Sequence, residues 1–204
     1  MLPLLFTTGC MMGGAMHQAT LAGQCAETDV ACARRHPMAP IAVGARFYPD
    51  VATDVAGTST PNLRLESAVP GIVAIDGGAL VGKQPGASAV LISTDDGSVV
   101  DFVHVWVAPV STITVARRDG ERIAGPLALA VGEDVVLQPA LWNGAQRLTG
   151  AADVAWTASD TTPLAILRDG SPDRRRLKAR APGKATITVA LGSAQTSIDV
   201  EVVP

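Results

Sequence analysis

The chain has 204 residues, 48% of them hydrophobic and 17% charged, which is enough for one large domain or two small ones, each with its own core. The net charge is −3 and no basic stripe runs along the sequence, so nucleic acid is not expected as a partner. Fourteen Pro and twenty Gly fall in short punctuating positions, a pattern that favours many short strands over long helices.

The chain opens with MLPLLFTTGC, an apolar run that ends at Cys10. It is shorter than the roughly 18 residues that a helix needs to cross a bilayer. It resembles the end of a bacterial lipoprotein signal peptide, with small residues Thr8 and Gly9 in front of the Cys. Two features depart from that pattern: Thr7 stands where Leu is usual, and no Lys or Arg precedes Cys10. The resemblance implies removal of residues 1–9, a lipid on Cys10 and export to the cell envelope. It also implies a membrane anchor, with the mature protein an outer-membrane lipoprotein or exposed at the cell surface.

Three cysteines are present, Cys10, Cys25 and Cys32, and an odd count in an exported protein asks for an explanation. A lipid on Cys10 leaves Cys25 and Cys32 to form a disulfide. Positions seven apart on an unbroken helix are separated by about 10 Å of rise, whereas a disulfide brings Cα atoms within roughly 7 Å. A bridge therefore needs this segment to turn back on itself. The nearby His17 and His36 match no zinc spacing, and no metal or cofactor is expected. Residues 10–37 are rich in Gly, Ala, Gln and Thr and show no strand-like alternation. They read as a mostly unstructured tether between lipid and folded domains.

From residue 38 onward the chain repeats itself. VGKQPGASAVLI, starting at Val81, returns as KARAPGKATITV, starting at Lys178, with Pro85-Gly86 aligned on Pro182-Gly183. VGARFYP at Val43 corresponds to VGEDVVLQP at Val131, LESAVPGIVAI at Leu65 to WTASDTTPLAI at Trp156, and VDFVHVWV at Val100 to TSIDVEVV at Thr196. Four matches in one order mean two copies of one unit, spanning residues 38–108 and 109–204 and joined at Pro109. Each unit reads as strands. Ile198, Val200 and Val202 alternate with Ser197, Asp199 and Glu201, and Val135, Leu137 and Leu141 fall on one face. Turn signals separate the runs, and the fold class expected is all-β, two tandem sandwiches.

Both units resemble bacterial immunoglobulin-like domains of group 2, the type found in intimin and invasin relatives. The residues that carry the resemblance are Trp156, Ser159, Asp160, Ala165 and Ile166, followed by Ala181 to Val189. In the first unit they are Leu65, Ser67, Val73, Ala74 and Ile75, followed by Val81 to Gly86. Leu65 stands where the pattern has Trp. The resemblance covers residues 38–204 and implies a non-catalytic adhesion, spacer or scaffold module. A polysaccharide-binding accessory or a subunit of an envelope assembly are the alternatives.

No motif for catalysis is complete in the sequence. Gly183-Lys184-Ala185-Thr186 lacks the first Gly and the Ser/Thr of a phosphate loop, and a β-branched run follows it instead of a helix. The three His lie in the tether or in a strand, none beside a nucleophile elbow. Two surfaces are candidates for binding a protein or a glycan. The first is Phe102, His104 and Trp106, which the alternation of Val103, Val105 and Val107 turns outward. The second is the basic run Arg174-Arg175-Arg176, placed by its neighbours in a long hairpin loop. Asp76, Asp95 and Asp96 beside Gly read as turn chemistry, with calcium as the alternative.

Overall fold

The protein is described here from a computed structural model covering residues 12–13, 19–23, 39–53 and 62–204. Its described residues form twenty strands and no helix. Cys10, Cys25 and Cys32, with the lipid and disulfide expected of them, lie outside the described residues.

The first unit contains β1 (Met12–Gly13), β2 (Ala19–Gly23), β3 (Ile41–Ala42), β4 (Ala45–Phe47), β5 (Pro49–Thr53), β6 (Leu63–Ser67), β7 (Val73–Asp76), β8 (Ala79–Gly82), β9 (Gly86–Thr94) and β10 (Val99–Ala108). The second contains β11 (Thr112–Arg117), β12 (Leu127–Ala130), β13 (Asp134–Asn143), β14 (Gln146–Arg147), β15 (Ala151–Ala152), β16 (Ala155–Ala158), β17 (Leu164–Arg168), β18 (Arg175–Ala179), β19 (Gly183–Leu191) and β20 (Ala194–Val203).

The repeat is visible in the sheets. The first unit has one sheet in the order β3-β10-β9-β6, and the second has its equivalent in the order β12-β20-β19-β16. Leu65 pairs with Ile92 and Trp156 with Val189, so the residue that departs from the aligned Trp occupies the same place, half-buried against the core. β3 joins β10 in parallel, as β12 joins β20. Gly86 and Gly183 begin the long strand of each unit with φ of 148° and 157°. A Cβ on Gly86 would meet Ile72 Cδ1 at 2.8 Å, and one on Gly183 would meet Pro163 Cβ at 3.2 Å. Pro-Gly in APGKATITV is thus a close-packed turn into a strand.

Opposite each of these lies a second sheet, β11-β13-β18-β17 with β14 attached in the second unit, and β4-β8-β7 in the first. The alternating residues face inward as expected: Val103, Val105, Val107, Val135, Leu137, Leu141, Ile198, Val200 and Val202 are all buried. Burial of such side chains from both sheets drives each sandwich together.

Two features differ from the sequence reading. The segment read as a tether without strands supplies β1 and β2, and β2 pairs antiparallel with β5. β2 lies beside β5 as β11 lies beside β13, antiparallel in both cases, within a three-stranded sheet of order β1-β2-β5. ATLAG has one large apolar residue and no alternation to read.

The second difference is the join. β15, from the second unit, pairs with β4 of the first, Ala151 with Arg46 and Ala152 with Ala45. The Ala42 amide donates to the Thr149 carbonyl at 3.0 Å, and the Thr149 amide to the Pro40 carbonyl at 2.9 Å. Gly150 makes this possible, with φ of +90° and a would-be Cβ 2.9 Å from Ala45 Cβ. Leu148, Ala152 and Val154 belong to the same core cluster as Ile41, Ala42 and Ala45. The two sandwiches therefore share backbone hydrogen bonds and a continuous core.

Candidate functional site

β10 carries the aromatic candidates. Phe102, His104 and Trp106 occupy alternate positions on the outer face of their sheet, because the buried Val103, Val105 and Val107 hold the other face inward. Trp106 is 51% exposed. The Phe102 and His104 rings meet edge-on at 5.5 Å, and the His104 and Trp106 rings lie tilted at 6.2 Å. The three rings form a ladder along the strand.

Next to the ladder the register places Leu91, Ala89 and Ala87 of β9, opposite Phe102, His104 and Trp106 respectively. Two alanines beside His104 and Trp106 leave those rings standing above the sheet. The flanking apolar row was available in the repeat alignment, but it acquires meaning only from the pairing. Glu66 of β6 follows beyond Leu91, giving the patch a polar rim. Rings and methyl groups can bury apolar or C–H surface of a partner.

The basic run is organised differently from the expectation. Arg175 and Arg176 are not in a loop but at the start of β18, and Arg175 is buried, so it is not part of an exposed patch. Its Nη1 donates to the Pro172 and Arg174 carbonyls at 2.8 and 2.7 Å, and its Nη2 to the Val154 carbonyl at 3.4 Å. Nη2 also lies 3.6 Å from the Asp153 carboxylate. Those contacts take Arg175 inward, along with Leu177 of the same strand face. Arg176 is exposed but bridges Asp134 at 2.8 Å and Asp169 at 3.0 Å. Hydrogen bonds to Asp169 and then Asp134 hold its guanidinium pKa above the ordinary value. Arg174 is half-buried and also has a partner. The run braces β18 against its neighbours.

The acidic turns are likewise engaged. Asp95 accepts from Arg64 Nε and Asn62 Nδ2, both at 3.0 Å, and Asp76 from Arg46 Nη2 at 2.6 Å. Asp96 accepts from the Thr94 hydroxyl and the Ser98 amide, which hold its carboxyl below the usual range. The Asp96 contacts are those of a tight turn, whereas Asp95 and Asp76 tie their turns to neighbouring strands. No group of three or more metal-binding side chains gathers among the described residues, and among them no helix is long and apolar enough to cross a membrane.

No protein-family model matches the chain, and no curated protein matches it. Solved structures with some likeness include domains 4 and 5 of the S-layer protein SbsC, at 19% identity over 78% of this chain and 83% of that one, with a TM-score of 0.39. The Escherichia coli adhesin FdeC shares 13% identity over 79% of this chain and 61% of that one, with a TM-score of 0.33. The D00-D0 domain of intimin shares 12% over 82% and 97%, with a TM-score of 0.32.

Proposed function

We propose that this chain is a non-catalytic module of the bacterial cell envelope, exported and lipid-anchored through Cys10, in which two Ig-like sandwiches of the group 2 type form a stiff spacer or scaffold that presents an adhesive face. The observation that carries this reading is the join. Shared backbone pairing between β4 and β15, with a core running through both units, suits an element that transmits position and resists bending. The exposed ladder on β10 supplies a face to present.

The anchor is tested by fractionating bacteria that express the full chain or Cys10→Ser. Wild type is expected in the membrane fraction with incorporated labelled palmitate, and the variant is expected in soluble form without label. An unlabelled wild type that retains Met1 overturns the exported reading.

A second reading, a polysaccharide-binding accessory, is favoured by one observation. Trp106 is half exposed on the outer face of its sheet with alanines beside it, an arrangement suited to C–H contact with sugar rings.

A further inference from the structure

The outer face of the second unit's larger sheet carries a concavity separate from the ladder, and strand register builds it. Ala116 of β11 opposes Gln138 of β13, and Arg122 bridges back to Ala116. Further along, Thr114 opposes Ala140, and Trp142 opposes Arg147 of β14. Paired residues of antiparallel strands point the same way, so the short Ala116 and Ala140 make a floor. Arg122 stands at one end, and Trp142 with Arg147 at the other. The space between them is about 120 Å³.

Gln138 lines this space and is only 4% exposed, yet its Oε1 has no hydrogen-bond partner. A buried acceptor without a donor is unfavourable and needs an account. Trp142 Nε1 already donates to Thr114 Oγ1 at 2.9 Å, so the indole offers its ring surface. Glu121, next to Arg122, is paired with Arg117 at 3.5 Å. Arg147 has a contact of its own within the protein, and its guanidinium adds positive charge at the rim.

We propose that this concavity binds the carboxylate edge of an acidic sugar. Arg122 and Arg147 supply the charge for a carboxylate. Gln138 Oε1 accepts from a neighbouring hydroxyl, which a bare anion cannot provide. The Trp142 ring takes the C–H surface of the pyranose. The volume admits one sugar edge rather than a drug-sized ligand. A peptide that adds a strand is disfavoured because the concavity lies on the face of the sheet, where β11 and β13 present side chains rather than main-chain groups.

Calorimetry on the full chain at low salt, with tetragalacturonate as the probe, tests this. Binding is expected to weaken as salt rises and to vanish for the fully methyl-esterified oligosaccharide. Gln138→Leu removes the acceptor while keeping the volume. It is expected to weaken binding by roughly tenfold or more, the worth of one hydrogen bond, with a thermal midpoint held or raised. Arg122→Ala should weaken binding and flatten its salt dependence, while Trp106→Ala, on the other unit, should leave it unchanged. The proposal is overturned by equal affinity for the methyl ester, by equal affinity for tetra-aspartate, by wild-type affinity in a folded Gln138→Leu, by loss of binding in Trp106→Ala, or by no binding at millimolar probe.

Discussion

Gly150→Ala tests the stiffness of the join directly. The residue has φ of +90°, and a Cβ there would sit 2.9 Å from Ala45 Cβ and 3.1 Å from the Arg46 carbonyl oxygen. The left-handed backbone costs a non-glycine residue roughly 1–2 kcal/mol, and overpacking typically adds about 1–3 kcal/mol. One of the contacts is with backbone of the partner strand, so no side-chain rotation relieves it. Both penalties apply to the docked state and are relieved once β15 leaves β4. A total of roughly 2–5 kcal/mol shifts the opening equilibrium of the join by about thirtyfold to several thousandfold.

Amide hydrogen exchange reads that equilibrium at two donors. The Ala42 amide is bonded to the Thr149 carbonyl and the Thr149 amide to the Pro40 carbonyl. Both amides should exchange faster in Gly150→Ala, while amides in the interior of β19 and β20 keep their protection. Gly144→Ala is the control. It has φ of +58° and nothing within 4 Å of its would-be Cβ, so it carries the backbone penalty without the contact. X-ray scattering should show a larger maximum dimension for Gly150→Ala alone. If Gly150→Ala leaves exchange at Ala42 and Thr149 no faster than Gly144→Ala does, the close approach is not what holds the units together.

Two further outcomes are expected. Leu137→Ala empties a site with 0% exposure in the core. It should destabilise by about 2–5 kcal/mol and lower the melting midpoint by roughly 5–15 °C, measured by circular dichroism. The Asp160 carboxylate accepts from the Thr162 amide at 2.8 Å, and this bond holds its pKa below the ordinary value. Its contribution to stability is therefore present above the unfolded carboxyl value, about 3.9, and is lost as pH falls through the lower folded value. NMR titration should place the Asp160 midpoint below that of the acid-unfolded chain, and Asp160→Asn should remove this part of the acid dependence.

The parts of the fold that the sequence makes legible are those where alternation and repetition coincide. The alternate valines of β10 and β20, and the two Pro-Gly turns into β9 and β19, mark positions that the pairing register then places alike. Leu65 is found in the place of Trp156 because the partner residues Ile92 and Val189 sit at aligned positions. What escapes is made of short, small or polar residues that have no periodicity of their own. β2 is one such element, and β15 is only Ala151–Ala152. Its docking depends on a glycine whose conformation no alternation signals. The concavity around Gln138 is hidden for a related reason. Arg122, Ala116, Gln138 and Trp142 are scattered in sequence, and only register across β11, β13 and β14 brings them together. Arg174-Arg175-Arg176 misleads in the opposite direction. Three adjacent like charges read as a patch, whereas a strand sends neighbours to opposite faces, so that Arg175 goes in and Arg176 goes out.

The two units also show how an edge can be used once and closed once. In the first unit, the Ala42 amide is satisfied by the Thr149 carbonyl of the second unit. The aligned amide in the second unit belongs to Ala130, and it donates instead to Glu133 Oε2 at 2.9 Å. Where β4 offers Ala45 and Arg46 to the incoming β15, the second unit has Glu133 and Asp134, both exposed, with Asp134 tied to Arg176. A strand docking there would have to displace the charge-assisted hydrogen bond from the Ala130 amide to Glu133, which carries a cost of its own. Charged side chains at an open edge are a common guard against unwanted strand pairing. An alanine in the first unit and a glutamate in the second, at aligned positions of otherwise matching sheets, therefore make the pairing directional: the first unit receives the second, and the same edge of the second is closed by its own side chain.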